Sequence, residues 1–429
     1  MLPVEGENMK VVIVGAGPAG ATLALLLARR GAEVRLVDRE TALGDVFRGE
    51  GLMPLGIEAL QQMGLGRLLA EVPGRVVRSW RISIDGEEVF AVPEPVAELG
   101  DRAFRIASPV ALLERVVEQV RAHPGAQVHL GARFADVVRD ETGRVVGVRA
   151  VTAAGEEVVW SADLVVGCDG RGSSVRTRSG LDLTRAAEGY DVLWFKAPAP
   201  QALREHCDFH ILVRRGCHPL VAYTSWDDRL QCGLIMPKGG LGEFRDGDWL
   251  PTALRSAPPW LVDHVLAHRA EVSRPLRLNV LVGLAPLWWA PGVLLLGDAA
   301  HPMSPVRAQG INLALRDVVV AANHLVPLAA GGAGVDRGAL DAACRAVQAE
   351  REPEVRRAQA LQRQEARGQG DARAGTWRYG LARRGARVLG RYAWAQRAWL
   401  RRQHDLRFGS TPVTLQQPAA DPPPQPPAG

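Results

Sequence analysis

Lysine is almost missing from this 429-residue chain: Lys10, Lys196 and Lys238 are the only three, and the other basic residues are arginines. Any chemistry that needs a lysine therefore has three places to find one. Cysteine is scarce and odd in number (Cys168, Cys207, Cys217, Cys232, Cys344), with no C-x-x-C pair. That argues against a disulfide framework or a zinc site and for a reducing cytoplasmic setting. No uninterrupted apolar run reaches about 18 residues, so no membrane span is expected. Residues 1–9 lack a basic stretch followed by an apolar one, so no signal peptide is expected. There is no internal repeat. Charge of one sign is not in large excess: the net charge is +5 and the pI about 9.2, with the surplus near the C-terminus. No nucleic-acid partner is indicated. The length suffices for two or three structural units with a large core.

What is present begins at residues 10–39, KVVIVGAGPAGATLALLLARRGAEVRLVDR. The pattern predicts a strand over Val11–Val14, a helix with Leu23, Leu26 and Leu27 on one face, and a second strand over Val34–Val37. Gly15, Gly17 and Gly20 form G-x-G-x-x-G between the first two. Gly15 permits a tight turn, Gly17 a close approach of backbone to a diphosphate, and Gly20 contact between helix and strand. Asp38 closes the second strand, where a carboxylate can bind ribose hydroxyls. Pro18, Ala19 and Arg39 complete the pattern, and Pro18 and Arg39 lean towards FAD rather than NAD. Together these features predict a dinucleotide site. The Gly-rich loop from Thr41 to Met53 carries Arg48, a candidate anion contact or a solvated arginine.

Two later stretches repeat the theme of a buried strand followed by an acidic turn. Leu164–Arg176, LVVGCDGRGSSVR, offers Asp169, Ser173 and Arg176; a plain capped corner is an equally good reading. Residues 293–317, VLLLGDAAHPMSPVRAQGINLALRD, run from a strand through Gly297-Asp298 and a turn to a helix opened by Gly310 and Ile311. A helix start carries partial positive charge and free N–H groups, which favour an anionic ligand group.

Between and after these lie less specific segments. Leu55–Leu69 and Pro109–Arg121 read as helices, with Arg105 leading into the second. Ser79–Ala91 reads as a hairpin about Asp85-Gly86. Val128–Leu130, Phe134–Arg139, Val145–Thr152 and Glu157–Trp160 read as a small antiparallel sheet. Residues 181–280 read as sheet-rich, with Trp194, Trp226, Trp249 and Trp260 as pocket or core residues. Residues 338–366 read as helix. Residues 371–408 are Arg-rich with interleaved Trp and Tyr. They read as a helical extension packed on the cofactor-binding domain, or as a surface helix in weak contact with a membrane or an acidic partner. Residues 411–429, rich in Pro and Gln, read as disordered.

Taken in order, GAGPAG with Asp38, CDGRGSSVR and GDAAHPMSPVRAQGIN resemble the class A flavoprotein monooxygenases, the family of p-hydroxybenzoate hydroxylase, over roughly residues 10–365. The resemblance implies an α/β fold of mixed α+β character: a Rossmann-like FAD-binding domain interrupted by a sheet-rich substrate domain, with C-terminal helices. The boundaries it suggests are 9–75, 101–180 and 281–365 for the FAD-binding domain and 76–100 with 181–280 for the substrate domain. A basic helical extension over 366–410 and a tail over 411–429 follow. It implies that Gly15, Gly17, Gly20 and Asp38 hold the ADP half, with Arg48 and Arg105 along the diphosphate. Asp169 serves FAD and transient NAD(P)H, Asp298 binds the ribityl chain, and Pro305 to Gly310 run beside the flavin ring. No separate NAD(P)H domain is implied, and no second G-x-G-x-x-G is present. The implied reaction is hydroxylation of an aromatic or polyketide-like small molecule with NAD(P)H and O₂, through a flavin hydroperoxide. No metal is implied, and no side chain is assigned as a base. Many members have two glycines where this chain has Arg307-Ala308, so Arg307 either adds positive charge beside the flavin or pairs elsewhere.

Three other readings compete. A reductase resembling the geranylgeranyl reductase branch shares the fold but reduces double bonds. A flavin-dependent halogenase needs a lysine and a W-x-W-x-I-P segment, and Trp288-Trp289 and Lys10 do not supply them. The non-enzymatic reading is a flavin-bearing binding or assembly protein.

Overall fold

The computed structural model describes residues 8–43, 49–186, 190–244, 247–329, 335–374 and 377–416. A six-stranded sheet has the spatial order Trp289–Ala290, Val293–Leu295, Leu164–Gly167, Lys10–Val14, Glu33–Asp38, Ala126–Leu130. All its pairings are parallel except the short one at Trp289–Ala290. Its inner strands are covered on both faces, which is why they read as near-continuous Val, Ile and Leu. Helices Pro18–Ala28 and Gln309–Ala329 pack on each other and on this sheet in one hydrophobic core. By length and composition Val306–Ala329 could cross a membrane, but 78% of its apolar window is buried in the protein. It is the central helix of the core.

A seven-stranded sheet combines Ser79–Ile84 and Glu87–Pro93 with five strands from residues 190–280. Its pairings are antiparallel except between Ser79–Ile84 and Asp208–Val213. Both of its faces are apolar. Leu193, Phe195, Leu212, Leu220 and Leu234 pack into a core with helices Trp249–Ala253 and Pro259–Ala267. Trp80, Ile82, Ile84, Phe209, Ile211 and Val213 face a cavity. The two-residue period of a strand makes that division.

Several expectations change. Val128–Leu130 does not join the small antiparallel sheet, which consists of Arg133–Arg139, Val145–Val151 and Glu157–Ser161. It belongs to Ala126–Leu130, the edge of the parallel sheet beside Glu33–Asp38. A short half-buried run cannot reveal its pairing partner. Leu55–Leu69 is two helices, Pro54–Gln62 and Gly66–Glu71, because Gly64 takes φ +73° and reverses the chain. The extension after residue 374 divides: Trp377–Leu389 and Ala393–Arg402 pack on the Ser79–Pro93 hairpin of the seven-stranded sheet, whereas His404–Phe408 packs on helix Pro54–Gln62 of the parallel-sheet domain. Residues 411–416 are ordered: Gln62 Nε2 donates to Val413 O (3.1 Å), Leu415 N donates to Gln62 Oε1 (2.8 Å), and Leu415 is buried. Residues 417–429 lie outside the described residues.

Candidate active site

A cavity of roughly 1010 Å³ is lined from both sheets. It lies at the upper end of what one drug-sized ligand fills, about 300–1,000 Å³. Its first half is built from backbone. Gly15 has φ +106°, and a Cβ there would sit 2.3 Å from the Cys168 carbonyl oxygen. A Cβ on Gly20 would sit 1.9 Å from the Gly15 oxygen, so this glycine serves helix–strand contact and is not on the cavity wall. Gly17 differs: a Cβ there meets nothing within 4 Å, because it faces the open cavity. Tight turn, close packing and an open cradle at a helix start are the features a dinucleotide diphosphate requires.

The acids of this half are engaged. Asp38 accepts from Ala16 N (2.6 Å) and Glu40 N (2.9 Å), keeping lone pairs for a further donor. Arg39 reaches the cavity rim and pairs with Glu40 at the surface. Asp169 caps the helix Ser174–Arg178, accepting from Ser173 Oγ (2.5 Å), Ser174 N (2.6 Å) and Val175 N (3.0 Å). Burial raises its pKa, and these hydrogen bonds oppose the rise. Arg176 donates to Ala299 O (2.6 Å), tying this corner to the Gly297-Asp298 turn. Asp298 lines the cavity, and burial raises its pKa against the pull of His301 and Arg171.

Behind Gly297 lies a buried ionic ladder that the sequence did not announce. Asp317 Oδ2 accepts from Gly297 N (3.0 Å) and lies 2.6 Å from His301 Nε2. Asp317 Oδ1 accepts from Arg351 Nε (2.8 Å), and Arg351 and Arg316 both reach Glu354. Glu354 accepts from Ser410 N (3.0 Å), so the ladder ends on the C-terminal segment. Burial raises the pKa of Asp317, but His301 and Arg351 outweigh it and hold the carboxyl below its ordinary value.

Three buried amides fix the loop before the central helix. Gln362 Nε2 donates to Ser304 O and Val306 O; Gln309 Nε2 donates to Arg307 O and Leu406 O; Asn312 Nδ2 donates to Ala308 O and Gly51 O. They hold Arg307 at φ +60° and Ala308 at φ +50°. Left-handed backbone costs a non-glycine residue about 1–2 kcal/mol. The loop thus keeps a glycine-like shape without glycine. Arg307 pairs with Glu365 (2.8 Å) and lies between Trp80 and Trp399, with ring centroids 5.0 and 4.9 Å from its guanidinium carbon.

The second half is an aromatic wall. Trp80 stacks on Phe104 (5.1 Å) and meets Phe209 (4.9 Å); Phe209 stacks on Tyr223 (5.1 Å, 13° between planes); Trp399 closes one side, 5.9 Å from Trp80. Trp80 Nε1 donates to Glu94 Oε2 (3.0 Å), which keeps that ring in place. One polar corner breaks the wall. The Tyr223 hydroxyl is hydrogen-bonded to Glu50, and burial followed by the charge of Glu50 pushes its pKa well above the ordinary value. Glu50 accepts from Ser225 Oγ (2.7 Å) and lies 3.3 Å from Lys196 Nζ, which reaches Asp227 (2.7 Å). Burial raises the Glu50 pKa against Lys196. The corner leads from the cavity to half-buried Asp227.

Of the residues singled out in the sequence, Gly15, Gly17, Pro18, Ala19, Asp38, Arg39, Asp169, Gly297, Asp298, Pro305, Arg307, Gly310 and Ile311 share this one cavity. Arg48 lies outside the described residues. Arg105 is not on the wall: its strand neighbours Phe104 and Ile106 face the cavity, while its Nε lies against Gly74. Of the four tryptophans, Trp194 lines the cavity, Trp226 meets Lys196, Trp249 packs on Phe195, and Trp260 is exposed. Glu50, Trp80, Phe104, Phe209 and Trp399 were missed. The alternations Trp80-x-Ile82-x-Ile84 and Phe209-x-Ile211-x-Val213 were the signal that could have found two of them.

Residues 8–357 match the family model described as "FAD binding domain". The chain is 36% identical over 333 residues to 6-methylpretetramide 4-monooxygenase of Streptomyces rimosus, covering 74% of this chain and 75% of that protein. It is 32% identical over 339 residues to kynurenine 3-monooxygenase of Salinispora tropica, covering 72% and 71%. The crystal structure of pqsL, a probable FAD-dependent monooxygenase from Pseudomonas aeruginosa, superposes with a TM-score of 0.71 at 26% identity, covering 86% of this chain and 99% of that one.

Proposed function

The chain belongs to the FAD binding domain family of flavoprotein monooxygenases, and from that premise we propose that it hydroxylates a flat, electron-rich, multi-ring aromatic molecule that carries a hydroxyl group. It is an oxidoreductase that uses FAD, with NAD(P)H as reductant and O₂ as co-substrate, on a small aromatic or polyketide-like molecule. The observation that carries the finer reading is the shape of the cavity: a glycine-and-acid half meets an aromatic wall at the Pro305–Gly310 loop.

We assign Gly15, Gly17, Pro18, Ala19, Asp38 and Arg39 to the adenosine-diphosphate half of FAD, and Asp169, Asp298, Pro305, Gly310 and Ile311 to its other half. The cradle at Gly17 and the helix start at Gln309, with Gly310 on the cavity wall, fit such a group. When bound, FAD supplies the electron transfer and oxygen activation. The chain's own residues do the rest. The rings of Trp80, Phe104, Phe209 and Tyr223 take the faces and edges of a planar substrate at offset or edge-on geometry. Trp399 and Leu406 line the cavity with apolar surface, which keeps water from the reacting atoms. Tyr223 accepts a hydrogen bond from a substrate hydroxyl while donating to Glu50. Glu50 can then take the phenolic proton through Tyr223, leaving a more electron-rich ring, while the Lys196 ammonium between Glu50 and Asp227 holds the carboxylate in place.

The test is a screen of hydroxylated polycyclic aromatics with the FAD-loaded protein, following NAD(P)H oxidation under labelled O₂. Label from O₂ in the product supports hydroxylation. Reduction of a substrate double bond without label would support the reductase reading instead. A flavin that NAD(P)H cannot reduce with any ligand present would end both.

A further inference from the structure

The helix Trp377–Leu389 lies on the seven-stranded sheet with an inverted face. Its inward residues are Tyr379, Arg383 and Ala386, with Gly390 just beyond. Tyr379 Oη donates to Asp85 Oδ1 (2.9 Å), Arg383 pairs with Asp85 (3.1 Å), and Ala386 joins a cluster with Ile84 and Val89. A Cβ on Gly390 would sit 2.0 Å from Val89 O, so the approach is close. On the opposite side, at i, i+4, i+7 and i+11, stand Trp377, Leu381, Arg384 and Val388. That spacing puts them in one stripe. The three apolar members are 74%, 57% and 53% exposed. Tyr392 and Trp394 extend the stripe, with rings 6.5 Å apart and exposures of 48% and 55%. Among the described residues, six of the nine exposed large apolar side chains lie between 377 and 394.

The charge of the same segment is one-sided. Residues 377–402 hold eight arginines and no Asp, Glu or Lys. The whole chain's net charge is +5, so the rest of the protein is net negative. Two of these arginines are used inward, Arg383 on Asp85 and Arg387 on Glu87. Arg384, Arg391, Arg397 and Arg401 are exposed. A second copy docking by the same face would set this positive patch against itself, since a two-fold interface pairs identical surfaces. A surface that is both apolar at its boundary and negatively charged satisfies the apolar stripe and the arginines together.

We propose that residues 377–402 form a docking face for an anionic lipid surface, lying in the interface without crossing it. Trp377, Leu381, Val388 and Trp394 enter the headgroup boundary, and the exposed arginines meet the lipid phosphates. The reverse side of this segment supplies Tyr379, Trp399 and Arg402 to the cavity wall, so docking and substrate entry share one element.

The experiment is co-sedimentation of the full FAD-loaded chain with vesicles of phosphatidylcholine alone or with added phosphatidylglycerol. Expected is binding to the anionic vesicles more than about tenfold above the neutral ones, lost as salt is raised. Trp377→Ser combined with Leu381→Ser and Val388→Ser should reduce it by at least about tenfold while the flavin content stays unchanged. The salt titration of the unaltered protein tests the idea independently of whether the variant folds. Equal binding to both vesicle types overturns the proposal. So does no binding, or a concentration-dependent dimer by light scattering that the triple variant abolishes.

Discussion

The two halves of the cavity are made by different physics. The glycine-and-acid half is backbone: turns at Gly15 and Gly297, helix starts at Pro18 and Gln309, and carboxylates fastened to amides. The aromatic half is side chain: one face of a sheet whose other face is an ordinary core. A backbone site tolerates few residue types at each position and so leaves a motif. A side-chain wall needs only apolar residues at alternate positions, and many sequences meet that need. The first half therefore identifies the family, and in the proposed function the second selects the substrate.

Asp317→Asn leaves buried Arg351 to share Glu354 with Arg316 as its one remaining anion and loosens the Gly297 turn, so stability should fall by about 3 kcal/mol, read as the denaturation midpoint. The sign with pH follows from the depressed Asp317 pKa. Its stabilisation is present above the ordinary carboxyl range and is lost as pH falls through the lower folded value. The unaltered protein should therefore lose stability below about pH 4, and the variant should show a flatter curve there. Equal acid sensitivity would remove the ladder from the account.

Gly17→Ala separates cofactor from fold. A Cβ at Gly17 meets nothing in the protein, so the melting temperature without FAD should be unchanged. FAD affinity should fall about a hundredfold, near 2.7 kcal/mol, by titration of flavin fluorescence. Gly15→Ala is the control that damages both, because its Cβ strikes the Cys168 carbonyl. If Gly17→Ala binds FAD normally, the diphosphate does not sit on that turn.

Tyr223→Phe acts only on the aromatic half. It should lower substrate-dependent turnover about tenfold by removing a hydrogen bond, with FAD affinity and the rate of flavin reduction unchanged. The pH profile of turnover should lose its acid limb, because Glu50 no longer couples to the substrate. A uniform loss at every pH would mean that Tyr223 only packs.

The smallest effects belong to the junction. Ala308→Gly should raise stability by no more than about 1 kcal/mol, since relief of left-handed strain is offset by unfolded-chain entropy. Arg307→Ala should move the flavin midpoint potential by less than about 30 mV, because Glu365 already balances its charge. A larger positive-to-negative shift would restore Arg307 as an unpaired charge beside the ring.

Much of the first half was legible in the sequence because local rules suffice there. A glycine needed at φ +106° and a helix start needed after a strand are written within a few residues of each other. Helix Pro109–Arg121 was read to its ends, since Ser108 caps it and Pro109 opens it. Other elements escaped for lack of a local signal. Val128–Leu130 showed strand character but not its neighbour. The basic extension showed helices but not which sheet they cover. Arg307 showed a charge but not Glu365, 58 residues on.

The sequence by itself determined the cofactor class, the order of the three motifs and the parallel sheet they terminate. Each is encoded by short-range stereochemistry. Only the tertiary structure decided that Trp80, Phe209 and Trp399, from three distant segments, form one wall. It also decided that Glu50 meets Tyr223 and Lys196, and that a buried ladder runs from Gly297 to Ser410. Those contacts depend on which surfaces burial brings together, and no residue carries that information in its immediate neighbours.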